Sequence, residues 1–180
     1  VSRKLVVRGF HGTTTTAARL ILDAGFKVSR NDYDWLGDGV YFFQDAPLRA
    51  WEWAEERYGA HAAVVSAGIN LEDCIDLLDI AWWKPLREAY ELFLQEVHKS
   101  KKTLPIQTFG ARRLDRQVLN YAIGSLKELG LGIRSVRGVF VEGDPLYPNS
   151  ELYDRSHIQI SVRETSVIES IQRVETLGRR

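Results

Sequence analysis

The sequence predicts an α+β fold in one domain, and three observations carry the prediction. Short runs of β-branched and aromatic residues occur towards both ends: Lys4–Phe10 (KLVVRGF), Val40–Phe43 (VYFF), Val136–Glu142 (VRGVFVE) and His157–Val162 (HIQISV). Between them lie two longer stretches whose apolar residues return at helical spacing. Strands on both sides of a helical block point to a sheet with helices between and around it. The 180 residues, 44% hydrophobic and 27% charged, have globular composition and enough length to bury a core without staples.

Taken in order, the first strand is expected to end at Gly12. The hydroxyls of Thr13 to Thr16 then offer N-caps for a helix over Ala17–Ala24, and Gly25 suits its C-terminus. Phe26–Val28 reads as a short strand and Ser29–Asp38 (SRNDYDWLGD) as a loop. After the aromatic strand Val40–Phe43, Asp45 is the expected cap and Pro47 the first turn of a helix reaching about Tyr58. Ala62–Ile69 and Cys74–Leu78 read as strands. Trp83, Leu86, Tyr90, Phe93 and Val97 share one helical face. His98–Thr108 is a polar, basic connection. Leu114, Val118, Ala122 and Leu126 mark a second helix over Arg112–Leu129, closed by Gly130 and Gly132. Gly143–Ser150 is a loop, and Ile168–Val174 is the last strand.

Several classes are disfavoured. The 24 basic and 24 acidic residues cancel, so no global field draws the chain to nucleic acid. No glycine-rich phosphate loop of the Walker or dinucleotide-fold type occurs. The apolar runs fall far short of the ~20 residues that cross a bilayer, so no membrane partner is expected. VSRKLVVRGF has no signal-peptide pattern. Cys74 is the only cysteine, which excludes a disulfide framework within the chain and suits a cytoplasmic location. It is expected to be buried and inert. Glu72, Asp73, Asp76 and Asp79 read as a solvated strand edge, not as converging metal ligands, and no metal is expected.

FHGTTTTAARLILDAGF, then DWLGDGVYFF, then RAWEWA together resemble the ADP-ribosyltransferases of the diphtheria-toxin and poly(ADP-ribose) polymerase type. The resemblance lies in order and spacing over residues 6–58 and is weaker over 136–174. Residues 80–132 match nothing in that group's common core. The resemblance implies a single domain over 1–180, with a split antiparallel β-sheet core and a two-helix insertion at about 80–132. It implies NAD as substrate. His11 would bond the adenosine ribose, the Gly12 backbone the nicotinamide carboxamide, and Thr13 the same amide. Tyr41 would stack on the nicotinamide ring, with Trp53 preferred to Trp51 as the second aromatic. Ser29 joins this cofactor-binding set, and Asn31–Asp38 would lie over the donor.

The family's third catalytic position is a glutamate at the start of a late strand, and here the sequence departs. Gln159, in SHIQISVRE, is the choice and Ser156 the fallback. Glu142 or Glu151 could supply a carboxylate as acceptor base. An uncharged third residue stabilises a cationic sugar less than a carboxylate does, which favours single transfer over polymer. The implied function is therefore mono-ADP-ribosyl transfer from NAD to a macromolecular acceptor, protein or nucleic acid, in the manner of a toxin or defence effector with an antitoxin partner. The alternatives are an NAD glycohydrolase and a catalytically silent module that binds NAD or ADP-ribose. Beside these sharp roles stand plainer ones. Tyr41, Phe42 and Phe43, and Trp51, Trp53, Trp82 and Trp83, also read as plain core aromatics. Asp115 and Asn120 read either as a functional face of the inserted helices or as helix surface only, and His157 as an edge-strand histidine by default, with a place near the site as the alternative.

Overall fold

The computed structural model describes residues 5–108 and 112–175; Lys4, at the start of the expected first strand, lies outside them. The first strand, β1 (Val6–Thr14), does not stop at Gly12. It pairs with a neighbour over its full length, so the ladder overrides the local breaking tendency of glycine. Helix α1 (Thr15–Ala24) follows directly. Of the four threonines, Thr14 is the cap, its Oγ1 accepting the Ala17 N–H at 3.1 Å. Gly25, at φ 78°, returns its N–H to the Ile21 carbonyl. The expected strand at Phe26–Val28 does not form; Phe26 is instead buried as a core side chain.

β2 (Val40–Gln44) leads into α2 (Pro47–Tyr58), with Pro47 in its first turn. Asp45 is not the cap. The N-cap is Ala46, without a side-chain bond, and Asp45 sits at φ 51° accepting from Gln44 Nε2. β3 (Ala62–Asn70), a short β4 (Cys74–Asp76), α3 (Trp83–Lys99), α4 (Arg113–Glu128), β5 (Ser135–Phe140), β6 (His157–Val162) and β7 (Ile168–Val174) complete the order.

The strands form one seven-stranded sheet in the order β4-β5-β6-β2-β1-β3-β7. It is mostly antiparallel, but β4 and β5 are parallel, a departure from the all-antiparallel expectation. A parallel pair cannot be closed by a hairpin and needs a crossover. Helices α3 and α4 are that crossover, so the block read as an insertion is also the connection that carries the sheet to its edge strand. Asp73 and Asp76 are not simply solvated there: they pair with Arg134 and Arg137.

Strand alternation sorts the core. Val40, Phe42, Val65, Ile69, Ile160 and Val162 pack on one face with Ala18 of α1. On the other face Phe10, Phe43 and Val64 meet Ala50 of α2, while Ile75 and Val136 meet Leu119 and Ile123 of α4. Cys74 is half-buried, and burial pushes its thiol up to about 11, which keeps it unreactive at neutral pH.

Among the described residues no helix is long and apolar enough to cross a membrane.

Candidate functional site

The middle of the sheet contains a gap. β1 and β3 pair continuously from Val6↔Asn70 to Thr14↔Ala62, but β1 and β2 pair only at Gly9↔Gln44 and Phe10↔Phe43. On the β2 side the Arg8 carbonyl accepts the Asp45 N–H. Residues 8, 10 and 12 therefore turn their backbone groups towards β2, because both polar groups of an antiparallel residue face the same neighbour. Continued in register, the ladder would bring Gly12 opposite Tyr41. Instead the Tyr41 carbonyl accepts the Nδ1–H of His11 at 2.8 Å. The imidazole thus takes the place of a ladder bond, and the Gly12 N–H and C=O face the opening between the strands.

A cavity of about 580 Å3 occupies this opening, within the range typical of small-molecule sites, about 300–1,000 Å3. The divergence explains how side chains from opposite sheet faces share it. His11 and Thr13 reach it from one face of β1, and Tyr41 and Gln159 from the other face of β2 and β6. Gly12, Ser29 and Trp53 line it too, so every predicted site residue borders one space. Trp51 does not, nor do Ser156 and Glu151, which are exposed on the β5–β6 loop; Glu142 does.

Gly12 is required by packing. A Cβ there would lie 2.8 Å from the Ala50 carbonyl oxygen and 2.9 Å from the Trp53 ring. His11 stands edge-on to Phe26 at 5.3 Å. Burial lowers its pKa, against the opposing pull of the Tyr41 carbonyl. The neutral ring therefore carries its proton on Nδ1 and leaves Nε2 as an acceptor. The Tyr41 hydroxyl donates to the Gly37 carbonyl at 2.9 Å and accepts the Leu36 N–H at 2.8 Å. Both bonds fix the ring against the loop, and burial raises the phenol pKa.

Gln159 is more constrained than a free amide. Its Oε1 accepts from Trp35 Nε1 at 2.7 Å, its Nε2 lies 2.8 Å from His157 Nε2, and His157 Nδ1 lies 2.6 Å from the Arg155 carbonyl. An indole N–H only donates and a backbone carbonyl only accepts. The chain therefore runs one way: Trp35 to Gln159, Gln159 to His157, His157 to Arg155. His157 is accordingly not an edge histidine. It is buried on a central strand, its pKa is lowered by burial, and it orients Gln159.

Sequence reasoning missed Arg49, and it placed Trp35 and Asp34 only as part of the loop 31–38 without singling them out. Arg49, Trp53 and Arg57 are spaced four apart on α2 and line the cavity as one stripe; the choice of Trp53 implied its two neighbours. Arg49 is 9% exposed, and its Nη2 donates to Glu142 Oε2 at 2.7 Å. Its Nε has no hydrogen-bond partner among the described residues. Arg57 lies over both Trp53 and Tyr33, at 5.4 and 5.7 Å from the ring centroids, tying α2 to the 29–38 loop. Asp34 is buried; it accepts from the Asn31 N–H and the Ser29 hydroxyl, and burial raises its pKa.

The far end of that loop is held by α4, whose Asn120 is an anchor and not mere helix surface. Arg116 pairs with Asp38 at 2.7 Å, and the Asn120 Oδ1 accepts from the Asp38 N–H and from Arg163 Nη1. Arg112, at the start of α4, covers the rings of Trp35 and Phe140 at 4.8 and 4.4 Å.

Among the described residues no group of three or more His, Cys, Asp or Glu side chains gathers to hold a metal ion. No protein-family model matches the chain, and no curated protein matches it significantly.

Proposed function

We propose that the protein is an NAD-dependent mono-ADP-ribosyltransferase with an ADP-ribosyltransferase-type split-sheet core. The observation that carries the reading is the opening between β1 and β2, where His11, Gly12, Tyr41 and Gln159 border one cavity. A carboxamide needs one donor and one acceptor side by side, and the Gly12 backbone offers both. The Nε2 of His11 accepts a ribose hydroxyl. The clamped ring of Tyr41 gives the nicotinamide a flat partner, with Trp53 across the cavity; such ring contacts add about 0.5–1.5 kcal/mol beyond buried area. Arg49 and Arg57 bring positive charge to the cavity wall, which suits an anionic group such as a diphosphate.

In the reaction the bond between nicotinamide and the ribose anomeric carbon breaks with its electron pair leaving on nicotinamide. An acceptor nucleophile forms the new bond and gives up its proton. Orientation by fixed groups supplies most of the rate. The oxygen of Gln159 holds a ribose hydroxyl without charge, which accords with single transfer. Glu142 and Asp34 bring carboxylates to the cavity wall. The acceptor is a macromolecule, protein or nucleic acid, and an antitoxin partner belongs to the same proposal.

One observation favours the silent-module reading. Both ends of the Gln159 amide are already engaged, and each cavity carboxylate is bonded to protein groups. Incubation with NAD labelled on the adenylate phosphate separates the readings. Label on protein or nucleic acid, lost in His11→Ala, is the expected result. Free nicotinamide without labelled macromolecule indicates the glycohydrolase. Calorimetric NAD binding without cleavage indicates the binding module, and no binding at all overturns the donor site.

A further inference from the structure

A second cavity lies on the other side of Trp35, between α3 and α4. Its volume is about 500 Å3. It is an open cleft, with Trp83 and Arg87 exposed at its rim. Leu86 and Tyr90 of α3 and Leu114, Val118 and Leu119 of α4 give it an apolar wall. Two charged side chains reach it. Asp115 is engaged, its Oδ2 accepting from Gln107 Nε2 at 2.6 Å. Arg87 makes no hydrogen bond or ion pair among the described residues.

We infer that this cavity is a second ligand site, for a small molecule with a flat or branched apolar body and one anionic end, such as an aromatic carboxylate. The body replaces water along the apolar wall, where burial drives binding. The anionic end meets Arg87, whose planar guanidinium matches a carboxylate. The site communicates with the first cavity through one side chain. Trp35 borders both spaces, and its indole N–H is bonded to Gln159. A ligand that displaces the Trp35 ring therefore moves the amide at the proposed third catalytic position.

The probe is 2-naphthoate, titrated into the 180-residue chain and followed by calorimetry and by the indole N–H resonances. Saturable one-to-one binding is expected, with movement of the Trp35 resonance, which is assigned by its loss in Trp35→Phe. Arg87→Gln lowers the naphthoate affinity about three- to fivefold and leaves the neutral analogue 2-naphthamide unchanged. Val118→Trp fills the cavity from α4 and Leu86→Trp from α3; whichever keeps the wild-type circular dichroism abolishes binding of both probes. Absence of saturable binding, binding that survives a folded cavity-filling variant, or equal loss of both probes in Arg87→Gln overturns the inference. None of these readings requires NAD to bind, so they stand apart from the proposed transferase activity.

Discussion

At Gln159 a single nitrogen decides the protonation of its neighbour. The amide N–H supplies what His157 Nε2 accepts, while His157 Nδ1–H is committed to the Arg155 carbonyl. Gln159→Glu removes that donor and sets a carboxylate against the Nε2 lone pair, while Trp35 Nε1 keeps an oxygen to bond. His157 then has to take up a proton on Nε2. Its pKa, held below the usual value by burial, is expected to rise by about one unit or more, as read from the His157 ring resonance during a pH titration. An unmoved pKa would show that the chain from Trp35 to Arg155 is wrongly assigned. The same variant places a charge beside the proposed ribose site, so nicotinamide release from NAD is expected to exceed that of the wild type.

Among the elements, α4 and the loop between α1 and β2 form a unit. The loop spans residues 29–38 with few backbone bonds of its own, chiefly the Ser29–Gly39 bridge and the turns at Asp34 and Gly37. Its shape is imposed from outside, by Tyr41, Arg116, Asn120 and Arg163. Gly37 sits at φ 84° with the Asn120 Oδ1 2.6 Å from where a Cβ would be, so any larger residue is strained there. Asn120→Ala removes bonds to the Asp38 N–H and to Arg163 and leaves part of that cluster unsatisfied. The expected cost is about 1–3 kcal/mol, concentrated locally. Amide hydrogen exchange should quicken across the loop while β3 stays protected, and under the proposed function NAD affinity should fall. Equal loss of protection in β3 would mean that Asn120 supports the whole fold and not the loop.

For the whole molecule two histidines with lowered pKa, His157 buried and His11 half-buried, set an acid limit. Burial lowers the pKa of both His11 and His157 below the usual value of about 6.5. Above that value both states carry neutral rings and the difference vanishes. As pH falls below it, the unfolded chain takes up protons that the folded chain refuses, and stability is lost until the folded values are passed, at no more than about 1.4 kcal/mol per pH unit for each histidine. Asp34 acts with the opposite sign. Its raised pKa gives stability at low pH that is lost as pH rises through the folded value. Thermal melts between about pH 7.5 and 5 should therefore show a falling midpoint. His11→Gln and His157→Gln should each flatten the slope relative to wild type, which isolates the histidine contribution from that of Asp34. Parallel slopes in all three proteins would mean that neither histidine is buried in its neutral form.

The sequence by itself determined most of the elements and the central residues of the cavity's lining. Aromatic and branched runs marked β2, β3, β6 and β7, and helical spacing marked α3 and α4, because those periodicities reflect which side of an element faces a core. His11, Gly12, Tyr41 and Trp53 were legible through order and spacing along one stretch of chain. The bounds of β1 and the cap of α2 were not, since a nine-residue ladder outweighs one glycine and the chain enters α2 through Asp45 in an unusual conformation. Only the tertiary structure decided that β4 lies parallel to β5, that α3 and α4 are the crossover this demands, and that Arg49, Trp35 and His157 belong to the site. It also decided that β1 and β2 part after two residue pairs. These depend on partners far apart in the chain: Trp35 meets Gln159, Arg49 meets Glu142 and Asp38 meets Asn120. A local pattern reports how a residue sits in its own element. Which distant group satisfies its hydrogen bonds is fixed only when the sheet has closed.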